Sequence, residues 1–200
     1  MGKLRTNRWT CVLAITGAAL VLLGIKYMRK YFIWDNFGTV VPGRVYRSGR
    51  LTPSQLQDAI TRYGIQPVLN LNHAVRGKEK PVADAEEQLV QGLGLKYFKA
   101  RWSGDGVVPV SSLRWAHELI SDADNQPVLI HCARGSSRTG AVVAYYRIWT
   151  SHWSRQQIRD EMVQYGHRPG SNQQLERLID RLFVSYQEAG VEKEPAAARY

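Results

Sequence analysis

Cysteine is nearly absent from this chain: 200 residues carry two, Cys11 and Cys132, too few for a disulfide framework. Cys132 must therefore serve as a thiol, packed or reactive. Acidic residues are missing altogether before residue 31, where six of the 27 basic residues lie (Lys3, Arg5, Arg8, Lys26, Arg29, Lys30). The net charge of +10 thus reduces to 21 bases against 17 acids, or +4, over the rest. That is too mild a balance for a nucleic-acid partner. There is no internal repeat and no low-complexity block. His73, His117, His152 and His167 lack metal-ligand spacing, so neither a metal nor another cofactor is expected.

One long uncharged run is present. Trp9 to Ile25, seventeen residues between basic flanks, reaches roughly 25 Å as a helix, the lower edge of what spans a bilayer. The run ends in "LLGIKYMRKYF" without a small-residue cleavage site, which favours an uncleaved anchor over a signal peptide. A buried core helix is the other reading, disfavoured because the run has no polar face. Three basic residues on each side leave the orientation tied. "MGKLRT" also fits a myristoylation pattern, taken as coincidental beside a spanning helix.

The expected layout is an anchor over residues 1–30, a juncture over 31–40, a folded domain over 41–187 and a polar tail over 188–200. Within the domain, strand and helix signals alternate. "VVPGRVYRSGRL" reads as extended chain, and "TPSQLQDAITRYG" as a helix with Thr52 as N-cap, Pro53 at its first position and Gly64 as its stop. "IQPVLNLN", "LKYFKARW" and "QPVLIHC" read as strands. "PVADAEEQLVQGLG", "VSSLRWAHELISDAD", "RTGAVVAYYRIWTS", "SRQQIRDEMVQYG" and "SNQQLERLIDRLFVSYQEAG" read as helices. This predicts an α/β fold: a mainly parallel sheet of four to five strands flanked by helices. Loops that follow parallel strands emerge on one edge. "HAVRGKEK", "SGDGVVP" and "CARGSSR" should therefore converge, bringing Asp105, Arg76, Lys78 and Lys80 toward Cys132.

The stretch "HCARGSSRTG", residues 131–140, joins a buried strand to a helix. A chain turning there through Gly135 and two serines can aim the backbone N–H groups of Ala133, Arg134, Gly135, Ser136 and Ser137 at one anion. Arg138 adds a planar fork matched to phosphate oxygens. The same positive potential favours a thiolate at Cys132, making it a nucleophile at neutral pH. Its attack on a bound phosphate gives a cysteinyl-phosphate, which water cleaves. Asp105, between two glycines, is the candidate proton donor to the leaving oxygen; its plainer reading is a turn cap. Thr139 is placed to steady the thiolate, and His131 to order the loop from beneath. Arg76, Lys78 and Lys80 read more simply as a solvated loop.

These residues resemble the signature of the protein tyrosine phosphatase superfamily, and "HCARGSSRTG" is most similar to its dual-specificity branch. "VYRSGRLTPSQL" is similar to the entry segment of small atypical members of plant, fungal and bacterial type, and "HRPGSNQQLERLIDRL" to their last helices. The likeness covers roughly residues 40 to 185. It implies the family fold, a metal-free two-step mechanism, and the roles of Cys132, Arg138 and Asp105. Members acting on inositol phosphates or phosphoinositides commonly carry lysines inside the loop, where this chain has Ser136 and Ser137. The resemblance therefore points away from inositol pyrophosphates. The acid loop also lacks the tryptophan and proline of classical members.

The expectation is a membrane-anchored phosphatase acting on phosphate monoesters, with phosphoproteins as the default substrate and phospholipids or phosphoinositides as the alternative. A phosphate-binding adaptor without turnover is the reading from another class, and sulfur transfer or arsenate reduction a third. A lasting thiolate favours a reducing compartment, hence a single-pass protein with its domain in the cytoplasm.

Overall fold

Five short strands make one sheet: β1 (Gly38–Val41), β2 (Val45–Ser48), β3 (Val68–Asn70), β4 (Tyr97–Lys99) and β5 (Val128–His131), in the order β1-β2-β5-β3-β4. The computed structural model describes residues 15–24, 34–72 and 76–190. β2, β5, β3 and β4 run parallel; β1 is an antiparallel edge strand. The segment read as one extended piece at "VVPGRVYRSGRL" is instead a hairpin. Pro42 and Gly43 stand at the two central positions of a turn closed by Arg44 N–H on the Val41 carbonyl at 3.1 Å, with Gly43 at φ 69°, the chemistry a type II turn requires.

Six helices follow: α1 (Pro53–Tyr63), α2 (Lys80–Gly92), α3 (Val110–Ser121), α4 (Ser137–Trp149), α5 (Arg155–Gln164) and α6 (Gln173–Glu188). α1 starts and stops where its residues dictate. The Thr52 hydroxyl accepts the Gln55 N–H, the Gln55 side chain accepts the Thr52 N–H, Pro53 opens the helix, and Gly64 closes it at φ 64°. α5 repeats the reciprocal cap with Ser154 and Gln157.

Strand alternation sorts the core onto two faces. Val128, Ile130, Leu69, Leu71 and Val45 pack with the buried residues of α3, α4, α5 and α6 in one cluster. Leu129, Val68 and Tyr46 are buried but stand outside that cluster, as do Leu56, Ala59, Ala83 and Val90 of α1 and α2. α4 is buried along nearly its whole length, from Arg138 to Ile148, and this fixes the helix that carries Arg138.

The chain divides after Trp34 into two units. In the first, residues 15–24 are helical and expose Ile15, Leu20, Val21, Leu22 and Leu23. Among the described residues no helix is long and apolar enough to cross a membrane. The rest of the run Trp9–Ile25, including Cys11, lies outside the described residues, so the expected span has no support here. At the juncture, Phe37 belongs to the domain: its ring lies 5.0 Å from Tyr63 and 6.1 Å from Tyr46 between centroids.

Thr52→Ala removes one cap acceptor and should lower the unfolding free energy by about 1 kcal/mol. Urea denaturation should show a lower midpoint with an unchanged slope.

Candidate active site

β5 delivers His131 and then Cys132 to the edge of the sheet, and the chain turns through residues 133–136 into α4. What shapes this turn is the fate of its carbonyls. Ala133 O accepts the Arg50 N–H at 3.2 Å, Arg134 O the Asn36 side-chain amide at 2.7 Å, Gly135 O the Arg47 guanidinium at 2.8 Å, and Ser136 O the Gly140 N–H at 2.7 Å. All four are engaged by partners around the loop, which leaves its N–H groups for the centre. Gly135 N–H lies 3.2 Å from the Cys132 sulfur. Gly135 sits at φ 71°, and a Cβ there would come within 2.6 Å of Gly49 N and Ser48 C. Only glycine fits this contact.

Cys132 is 2% exposed, at a cavity of about 200 Å³ lined by Gly104, Ala133, Arg134, Ser136, Ser137 and Arg138. Burial pushes its thiol up. The Thr139 hydroxyl, the N–H groups of Thr139 and Arg134, and the Arg138 charge outweigh that and hold it below its ordinary value. Thr139 Oγ1 is buried and makes no other hydrogen bond, so its proton is free for the sulfur. Arg138 donates to Asn72 Oδ1. Asn72 in turn donates to Glu79 at 2.9 Å, and Glu79 accepts Arg50 at 3.2 Å.

His131 faces the other side of the sheet. Its Nε2 meets Glu86 Oε1 at 2.8 Å, and the same oxygen accepts the Tyr97 hydroxyl at 2.7 Å and the Asn70 amide at 2.9 Å. Burial pushes the imidazole down, but Glu86 overrides it and raises His131 above its ordinary 6.5. Burial pushes Glu86 up, and His131, Tyr97 and Asn70 override it, leaving the carboxylate below its ordinary 4.5. The pair is an imidazolium and a carboxylate under the nucleophile.

Asp105 stands exposed in the loop after β4. Its Oδ1 accepts the Val107 N–H at 3.0 Å, its carbonyl accepts the Asn172 amide at 2.7 Å, and the neighbouring Gly104 lines the Cys132 cavity. The loop thus reaches the Cys132 cavity through Gly104, while Asp105 itself lines neither this cavity nor the adjoining one. Nor do Arg76, Lys78 and Lys80, which are exposed, line either cavity. Lys80 pairs with Asp84 one turn along α2 instead, a local partner that a surface helix start supplies. From the same loop region Asn72 reaches Arg138, with Glu79 behind it; His73 lies outside the described residues. Sequence reasoning did not find Arg47, Glu86, Asn72 or Asn172. Glu86 had a signal, since Ala83, Glu86 and Val90 share one helical face. Among the described residues no three His, Cys, Asp or Glu side chains converge as a metal-ligand group.

A second, polar basin of about 480 Å³ shares Arg134, Ser136 and Ser137 with the first cavity and adds Asp35, Asn36, His167, Arg168, Ser171 and Asn172 to its walls. Burial raises the Asp35 carboxyl against the pull of Arg134.

The model of the tyrosine phosphatase family matches residues 31–195. The chain belongs to that family. It is 31% identical over 134 residues to the inositol diphosphatase DSP1 of Oryza sativa subsp. japonica, covering 65% of this chain and 56% of that protein. It is 33% identical over 78 residues, 32% of this chain and 36% of the other, to the dual specificity protein phosphatase TpbA of Pseudomonas aeruginosa. The core catalytic domain of the PP-IP phosphatase SIW14 from S. cerevisiae, crystallised with citrate, superposes with a TM-score of 0.61 at 25% identity, over 78% of this chain and 93% of that domain. The chain spans about half the length of the full-length inositol diphosphatases it matches.

Because folding raises His131, its contribution to stability is complete below 6.5 and fades as pH rises through its folded value. Glu86, lowered, contributes above 4.5 and fades as pH falls through its own folded value. Glu86→Gln should cost about 3 kcal/mol near neutrality. Thermal melts across pH should show the alkaline decline flattened in that variant.

Proposed function

We propose that the chain is a cysteine-dependent phosphatase whose substrate is a small, hydroxyl-rich ring of inositol type bearing more than one phosphate. The observation that carries this reading is a thiol held below its ordinary pKa at a cavity of oxyanion size, beside a polar basin flanked by Arg134 and Arg168. Neither cavity is lined by a Phe, Tyr or Trp ring among the described residues, so a phosphotyrosine ring would find no apolar wall. Ser136 and Ser137 stand where lysines would sit; the charge at the basin comes instead from Arg134 within the loop and Arg168 outside it. The inositol diphosphatase resemblance extends over 65% of the chain, the dual-specificity protein phosphatase resemblance over 32%. Phosphoproteins, the default on sequence alone, therefore become the second reading.

In the proposed reaction the Cys132 thiolate attacks phosphorus as the bond to the leaving oxygen breaks. The electron pair goes to that oxygen, which takes a proton from the Asp105 carboxyl. The N–H groups of residues 133–137 and Arg138 hold the equatorial oxygens. Water then attacks the cysteinyl-phosphate and gives its proton to the Asp105 carboxylate. The S–P bond breaks, and Thr139 receives the sulfur as it becomes an anion again.

Phosphate release by the purified chain from p-nitrophenyl phosphate, phosphotyrosine peptides, inositol polyphosphates and phosphoinositide vesicles tests this. kcat/KM for inositol polyphosphates should exceed that for the peptides by about tenfold or more. Turnover of peptides alone would overturn the substrate class, turnover of vesicles alone would favour a lipid, and binding without release would leave an adaptor.

Cys132→Ser should reduce turnover by more than about a thousandfold while keeping phosphate affinity. Asp105→Asn should slow alkyl leaving groups by about a hundredfold and p-nitrophenol far less. Equal losses for both would remove Asp105 from the acid role.

A further inference from the structure

Arg47 is the most enclosed charge in the domain, 1% exposed on β2. Its Nη2 holds the Gly135 carbonyl at 2.8 Å, its guanidinium lies 3.7 Å from the centre of the Tyr165 ring, and its Nε has no partner. Gly38 of β1 leaves the room that the Tyr165 ring occupies, since a Cβ there would overlap its hydroxyl. Among the described residues no acid forms an ion pair with Arg47. Glu161, the acid that acts on it most, is committed to Arg147 at 2.9 Å. A buried cation without a counter-ion is strongly disfavoured. The anion across the loop from it is the Cys132 thiolate, or the phosphate that replaces it.

We propose that Arg47 is a positioning residue of the active site: from beneath the loop its charge holds Cys132 as a thiolate, and its fork turns the Gly135 carbonyl away from the anion. The proposal rests on Cys132 being the nucleophile of the reading above. Burial brings the guanidinium down to about 10, opposed by Glu161, Tyr165 and Cys132 and assisted by Arg147, so it stays a cation at neutral pH. The charged and titratable groups that act on Cys132 or line its cavity are Arg138 of α4, Arg134 of the loop, and His131 of β5 with its partner Glu86; the Thr139 hydroxyl adds a hydrogen bond. Arg138 touches the substrate directly, whereas Arg47 acts on the loop and the sulfur.

The test is the pH dependence of Cys132 alkylation by iodoacetamide, which reads the thiolate and needs no turnover. Arg47→Gln keeps an N–H donor for Gly135 and loses the charge. Its alkylation midpoint should rise by about one pH unit, a tenfold smaller thiolate fraction well below the midpoint. Arg47→Lys keeps the charge, so its midpoint should stay near that of the parent while tungstate affinity falls severalfold. Equal midpoints in all three proteins, or equal shifts in both variants, would overturn the proposal and leave Arg47 as packing. Should the variants not fold, the guanidinium nitrogen resonances of Arg47 in the parent chain decide. They should titrate with the midpoint of Cys132 and cease to do so in Cys132→Ser; resonances indifferent to the thiol would refute the role. If these outcomes hold but no phosphate ester is hydrolysed, the functional reading fails and this one stands.

Discussion

The site depends on where four carbonyl oxygens go. A five-residue arc between a strand and a helix carries as many acceptors as donors, and it binds an anion only if the acceptors are turned outward. Here Arg50, Asn36, Arg47 and Gly140 take the carbonyls of residues 133–136 one by one. The inward amides, the start of α4 and Arg138 then create one positive focus. That focus does two things at once: it lowers the Cys132 thiol despite burial, and it shapes a seat for phosphate.

The sheet supports this by alternation. Successive residues of a strand face opposite sides, so His131 meets Glu86 of α2 below one face, while Arg47 and Cys132 lie on the side of α4 and α5. The nucleophile thus sits between two buried polar assemblies. One is neutralised internally, the imidazolium against the carboxylate with Asn70 and Tyr97 satisfying the same oxygen. The other, around Arg47, carries an excess positive charge. This asymmetry is what a site that must hold sulfur and phosphate anions in turn requires.

Much of this was legible in the sequence where the relevant contacts are local. The loop residues, Arg138 and Thr139 are contiguous, the caps of α1 follow from neighbours three residues apart, and the strand–helix alternation fixes which edge gathers the loops. The sheet of four to five mainly parallel strands follows from that alternation. The β1–β2 hairpin escaped because the Pro-Gly turn was read as part of an extended run. Arg47 and Glu86 escaped for a different reason. Their partners stand 88 and 45 residues away, and a charged residue in a strand or helix reads as solvent-facing until the opposing element is known. Arg76, Lys78 and Lys80, which topology alone would bring toward Cys132, are exposed, in keeping with their simpler reading as a solvated loop.

The substrate reading rests on shape and charge around the shared focus rather than on the focus itself. A basin lined by arginine, histidine, serine and asparagine suits further phosphates and hydroxyls better than an aromatic ring, and the resemblance to inositol diphosphatases runs along most of the domain. The covalent step is the claim on which all else rests. Rapid acid quenching of the chain during turnover of an inositol polyphosphate, followed by peptide mass spectrometry, reads it directly. One phosphoryl group on the peptide carrying Cys132 is the predicted result; steady turnover with that peptide unmodified and the phosphoryl group on another residue, or on none, would contradict it.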